Sequence, residues 1–317
     1  MSERPKKAAR SAGAGRRQKE MRAPQGNVLQ RLAGAPISWG VCEVPGWGAM
    51  LPPERVLSEM RSLGLLGSEL GALGYLGDEP GQIRDLLARF GLGAVGGFVP
   101  VPGLYDRSLR AGAEQAAERA ARLLSGAGGT YFVTAAVVDE GWSEPFEPSP
   151  GQWDDFAEGL DMVDRVCAHY GLRQVLHPHV GTLVERSRHI DAVLDRSDVA
   201  FCLDTGHFSI GGADPVSFAE RHGDRVELVH LKDVDLSLAP AVIEHKTSLL
   251  EGTRSGLFRP LGRGSVDIAG TVRALEATGY RGWYVFEQDT TIDEAAAGTA
   301  DPAADVRASI EYLRGTL

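Results

Sequence analysis

Short apolar runs alternate along the chain with longer segments whose apolar residues recur at helical spacing. Eight runs read as strands: APISWG (35–40), GSELGA (67–72), AVGGFVPV (94–101), TYFVTAAV (130–137), QVLHPHV (174–180), VAFCLDTG (199–206), VELVHLKD (226–233) and GWYVFEQD (282–289). The segment PPERVLSEMRSLG (52–64) sets Val56, Leu57, Met60 and Leu63 on one face, with Pro at the start and Gly at the stop. PGQIRDLLARFG (80–91) repeats that grammar, and WDDFAEGLDMVDRVCAHYG (153–171) is the longest clear helix. SVDIAGTVRALEATGY (265–280) and ADVRASIEYLRG (304–315) close the series.

Strand and helix alternating at roughly 30-residue spacing imply parallel strands joined by crossover helices. Eight such units fit a closed (β/α)₈ TIM barrel, with residues 31–317 as one domain. An open doubly wound sheet is the rival. It usually carries a Gly-rich phosphate turn after its first strand, and SWGVCEVPGWG lacks GxGxxG spacing there. Two stretches interrupt the alternation. Residues 139–152 are rich in Trp and Pro, and residues 237–264 form an insertion with a short helix expected in APAVIEHKTSLLEG. Both follow strands, so both belong to the C-terminal face, where loops build sites.

Charge narrows the function. The chain has 317 residues, 43% of them hydrophobic, and a formal net charge of −10. Residues 1–22 carry +6, so the remainder carries −16. An acidic body argues against a nucleic-acid partner. Residues 1–30 form a basic tail without the apolar periodicity needed to pack, and disorder is expected there. The tail also lacks the apolar run of a signal peptide, and Met21 serves equally well as a start. Cys42, Cys167 and Cys202 are widely spaced and odd in number, which suits a reducing cytoplasm. No apolar stretch is long enough to span a membrane.

The chemistry gathers at the ends of strands five to eight. These supply His177 and His179, then Asp204 and His207, then His230, Lys232 and Asp233, then Glu287 and Asp289. Residues i and i+2 on a strand share a face, and inward side chains at barrel strand ends converge on the mouth. Each residue alone has a plainer explanation, such as Asp204 before Thr-Gly acting as a turn or cap. Jointly, four consecutive strands deliver a ligand-type side chain at the same end. Imidazole and carboxylate without thiolate suit Mn²⁺ or Co²⁺ first, then Zn²⁺ or Fe²⁺, and Mg²⁺ least. Cys202 should lie deeper, in the core.

Six segments, APISWGVCEVPGWG, HPHVGTLVE, CLDTGH, GGADP, HLKDV and GYRGWYVFEQD, carry a resemblance to the xylose-isomerase-like TIM-barrel superfamily of sugar isomerases, epimerases and dehydratases. Within it the chain resembles the inosose dehydratase-like proteins of inositol catabolism. The resemblance implies four metal ligands, at His177, Asp204, His230 and Glu287. Strand five departs from the family pattern, with His where Glu is usual. His179 and Glu185 are the alternatives for that ligand. The resemblance further implies that His207 and Lys232 contact substrate oxygens.

Family chemistry begins with proton removal beside a carbonyl, through an enediolate stabilised by the cation. Expelling a β-hydroxyl then gives dehydration of a keto-cyclitol such as 2-keto-myo-inositol. Returning the proton elsewhere gives epimerisation or isomerisation of a ketose. Losing the strand-five Glu removes half of a two-base pair and favours dehydration. Glu287 is the expected base, with Lys232 or His207 as acid. Glu69, His179, Trp47 and Arg263 are expected to contact substrate, while Trp39 is expected to pack in the core. A non-catalytic sugar-binding relic is the opposing reading. The complete set of strand-end ligands argues against it. A homodimer is compatible with such barrels, though nothing in the sequence fixes an interface.

Overall fold

The computed structural model describes residues 26–317. Residues 1–25, and with them Met21 and most of the basic tail, lie outside the described residues. Within the described residues, Val28–Gln30 form a 3₁₀ turn with Val28 buried, just before the expected start of the barrel.

Eight parallel strand positions form the barrel. They are β1 (Leu32–Gly34), β2 (Gly67–Ser68), β3 (two runs, Gly93–Ala94 and Gly96–Pro102), β4 (Tyr131–Val137), β5 (Arg173–Leu176), β6 (Ala200–Asp204), β7 (Val226–Leu231) and β8 (Tyr284–Phe286). β8 pairs with β1, so the last strand meets the first. The ring closes through β3, broken at Val95. Val95 N–H donates to Ser68 O at 2.9 Å, and Val95 O accepts from Thr130 and Tyr131 N–H at 2.9 and 3.0 Å. The predicted first strand shifts. Residues 36–39 form a 3₁₀ turn, and the strand lies at 32–34. Pro36 has no N–H to give a ladder, and its fixed φ suits the start of a turn.

Inside the ring, Ala33, Val95, Val133, Val175, Cys202, Leu228 and Val285 form one cluster from seven strands. Cys202 is core, as expected. Outside the ring the helices bury their apolar stripes. α1 (Pro53–Ser62) buries Val56, Leu57 and Met60, and α2 (Pro80–Arg89) buries Ile83, Leu86 and Leu87. Each such side chain contributes roughly 1.5–3 kcal/mol when fully buried. α3 (Arg110–Gly126) was not legible, because its buried stripe is Ala113, Ala117, Ala121 and Leu124. α4 (Pro150–His169) starts at a Ser149–Gln152 capping box. α5 (Ser187–Leu194), α6 (Thr205–Ile210) and α7 (Pro215–His222) follow β5 and β6.

The insertion holds two short helices rather than one, α8 (Ala239–Ile243) and α9 (Leu249–Arg254). A separate apolar cluster, with Val180, Ile210, Val242, Ile243, Leu257 and Phe258, seats it on the barrel mouth. α10 (Ile268–Thr278) and α11 (Ala303–Thr316) complete the ring of helices. Among the described residues no helix is long and apolar enough to cross a membrane.

Candidate metal centre

β6 ends in Asp204, and this one side chain answers two structural demands. Its Oδ1 accepts the N–H groups of Gly206 and His207, both at 2.8 Å, and so caps α6. Its Oδ2 is buried, accepts no hydrogen bond among the described residues, and faces the barrel axis neighbours. The cap and the ligand readings of this position both hold, one for each oxygen. Gly206 is needed beside it: a Cβ there would stand 2.6 Å from Lys232 Cγ.

His177, Asp204, His230 and Glu287 bring one donor atom each within 4.8 Å of one another, and all four are buried. His177 Nε2 lies 3.5 Å from Asp204 Oδ2 and 3.2 Å from His230 Nδ1. His230 Nδ1 lies 3.8 Å from Asp204 Oδ2 and 2.8 Å from Glu287 Oε2. A cation about 2.1 Å from four donors holds them about 3.0–3.4 Å apart in tetrahedral or octahedral geometry. The measured spacings bracket that range. Charge points the same way. Asp204, Glu287, Asp289 and Glu69 are all buried here beside one lysine. Buried carboxylates in that excess call for a further cation. The residues therefore fit a divalent ion.

The surroundings orient the donors. His230 Nε2 meets Glu69 Oε1 at 3.0 Å, which turns Nδ1 toward the other donors. His177 has no such partner, since its Nδ1 is buried without a hydrogen bond among the described residues. Phe98 packs edge-on against its ring instead, at 5.7 Å. Lys232 Nζ lies 2.8 Å from both Glu287 Oε1 and Asp289 Oδ1, 3.1 Å from His207 Nε2 and 3.5 Å from Asp204 Oδ2. Burial opposes its charge, but Asp204, Asp289 and Glu287 outweigh burial and hold the ammonium well above its ordinary range. Burial also opposes ionisation of Glu287, yet His230 and Lys232 hold it well below the usual carboxylate range. For Asp289 burial wins over Lys232, and its carboxyl is pushed up to about 6.

Above the donors opens a cavity of about 520 Å³. Glu69, His179, Glu287, Asp289 and Trp47 line it, together with Trp142. Burial pulls His179 down to about 3, so its ring is neutral at pH 7. Its Nδ1 donates to Val180 O at 2.6 Å, leaving Nε2 as an acceptor. Trp142 stacks on Phe98, with rings 6.1 Å apart and 13° from parallel. The sequence singled out its loop but not this residue. Trp39 packs in the core, as expected, and its Nε1 donates to Glu59.

Other expected contacts fall elsewhere. His207 and Lys232 are buried behind the wall and do not line the cavity. They touch the donors and each other instead. Arg263 is exposed and outside the lining. Asp233 explains this by accepting N–H groups from Gly262, Gly264 and Val266, which folds that loop away from the mouth. Glu185, the alternative strand-five ligand, is turned to His245 and lies outside the donor set.

Comparisons with known proteins give the family of this fold. The sequence model of the xylose isomerase-like TIM barrel family matches residues 57–316. The inosose dehydratase of Geobacillus kaustophilus is 29% identical over 299 residues, covering 89% of this chain and 93% of that protein. The rhizopine catabolism protein MocC of Rhizobium meliloti is 31% identical, covering 84% and 83%. A solved structure of L-ribulose 3-epimerase superposes with a TM-score of 0.65 at 19% identity, over 90% of this chain and 94% of that one. The chain belongs to the xylose isomerase-like TIM barrel family.

Proposed function

We propose that the protein is a metal-dependent hydro-lyase that dehydrates a keto-cyclitol, with 2-keto-myo-inositol as substrate. The observation that carries this reading is the buried donor set His177, Asp204, His230 and Glu287, of which Glu287 opens onto a cavity of about 520 Å³. Relatives named inosose dehydratase, aligned over most of their length, support the choice of reaction.

A divalent ion held by the four donors supplies Lewis-acid stabilisation of the charge that develops on a carbonyl oxygen. Two imidazoles and two carboxylates suit Mn²⁺ or Co²⁺. The chain's own groups handle the proton. Glu287 has one oxygen in the donor set and the other on Lys232. Asp289 stands outside the donor set, lines the cavity, and is steadied by Lys232 at Oδ1. Asp289 therefore takes the proton from the carbon beside the carbonyl. It then returns that proton to the departing β-hydroxyl. One C–H and one C–O bond break, a C=C bond forms, and water leaves; the enol relaxes to a 1,2-dione. His179 Nε2 accepts from a ring hydroxyl, and the rings of Trp47 and Trp142 wall the cavity.

The test is incubation of purified, metal-loaded protein with 2-keto-myo-inositol. A dione absorbing in the near-UV is expected, and Asp289→Asn should lower kcat by about 10²–10⁴-fold. A new ketose by NMR, with no absorbance change, moves the protein to the epimerases.

A further inference from the structure

His245 lies far from every strand end, yet its ring reaches the cavity. It belongs to the insertion, directly after α8, where Glu244 ends the helix. Its φ is 55°, in the left-handed region. Glycine is the usual occupant of the residue that follows a helix end in this conformation, because it has no Cβ to strain. A histidine in that conformation carries more backbone strain than glycine would, and its residue lines the cavity.

The ring is not loose. His245 Nε2 lies 3.2 Å from Glu185 Oε1, and Glu185 is buried. Glu185 is fixed in turn, since its Oε2 accepts Gly181 N–H at 3.1 Å and Oε1 lies 3.5 Å from Arg186 Nε. Arg186 Nη2 also donates to Ile243 O, tying the insertion to the loop after β5. A carboxylate accepts only, so Nε2 carries a hydrogen, and in the neutral ring Nδ1 keeps its lone pair. Among the described residues nothing hydrogen-bonds to that Nδ1. The side chain is 25% exposed, and the residue lines the cavity along with Val180 and Gly181.

We infer that His245, held by Glu185, is a receptor for a substrate hydroxyl that sets specificity for polyhydroxylated rings. It rests on reading the cavity as the cyclitol site and extends that reading away from the metal. His245 accepts an O–H on the substrate's outer side, opposite in role to the donors that handle the carbonyl. A pocket built to hydrogen-bond a hydroxyl discriminates against analogues that lack it.

His245→Gly is the decisive variant, because glycine suits the backbone at φ 55°. KM for 2-keto-myo-inositol should rise about tenfold, with kcat and bound metal within about twofold of wild type. Glu185→Gln should move KM in the same direction by less. Unchanged KM overturns the inference, as does a fall in kcat accompanied by metal loss. Calorimetric binding of myo-inositol, which cannot react, separates this from the proposed reaction. If wild type fails to dehydrate the ketone, weaker myo-inositol binding by His245→Gly still supports the hydroxyl receptor. Equal binding by the two proteins, or none by wild type, overturns it.

Discussion

Arg31 and Lys232 are the arginine and the lysine fully buried among the described residues, one before β1 at the base of the barrel and one after β7 at its mouth. Arg31 is matched. Its guanidinium donates to Glu276, to Tyr280 O and to Gly282 O, and stacks 5.3 Å from the Tyr284 ring. One charge meets one carboxylate and two carbonyls. Lys232 is outnumbered, with Asp204, Glu287 and Asp289 all within 3.5 Å of its Nζ. The mouth gathers more carboxylates than its lysine balances, the arrangement a cation site needs. The contrast separates a structural ion pair from a binding site with no appeal to fold.

Three experiments bear on that contrast. The largest effect is expected from Asp204→Asn. Asparagine caps a helix as well as aspartate does, so α6 should persist. The metal site loses an anionic donor, and the purified variant should hold little or no metal by elemental analysis while its circular dichroism matches wild type. Full metal content in the variant breaks the assignment of the mouth as a metal site. At the base, Arg31→Ala should cost roughly 3 kcal/mol in urea unfolding, since it removes a buried charge partner and its packing. Bound metal should be unchanged, and a loss of metal would erase the distinction between the two ends. Glu69→Gln should have the smallest effect, weakening metal binding by about 10–100-fold while every donor remains. Competition with a chelator of known affinity measures it. An unchanged affinity would mean that Glu69 serves the substrate rather than His230.

Much of this was legible because a parallel barrel converts linear order into convergence. Once the eight runs were taken as parallel strands, their carboxyl ends had to face one way. The side chains at the ends of strands five to eight were then expected to converge, and the family resemblance picked His177, Asp204, His230 and Glu287 from among them. The helices were legible where Leu, Val and Met made the stripe, and not in α3, where Ala113, Ala117 and Ala121 did. Contacts made by loops left no periodic trace. Glu185 and His245 are 60 residues apart, and Glu69 reaches His230 across 161. Asp289 was visible at its strand end. Its difference from Glu287 lies in what each carboxylate touches, which spacing does not encode. Arg263 was misjudged for the same reason, since three N–H groups on Asp233 decide where its loop goes.

The double use of Asp204 limits how this centre can be redesigned. An acidic residue one methylene longer would carry its carboxylate past the N–H groups at the start of α6, so lengthening the ligand there also releases a helix end. His177 bears no such second duty. Anyone wishing to retune the protein for a different ion should begin at residue 177, whose side chain caps no helix, and choose replacements that keep its packing against Phe98.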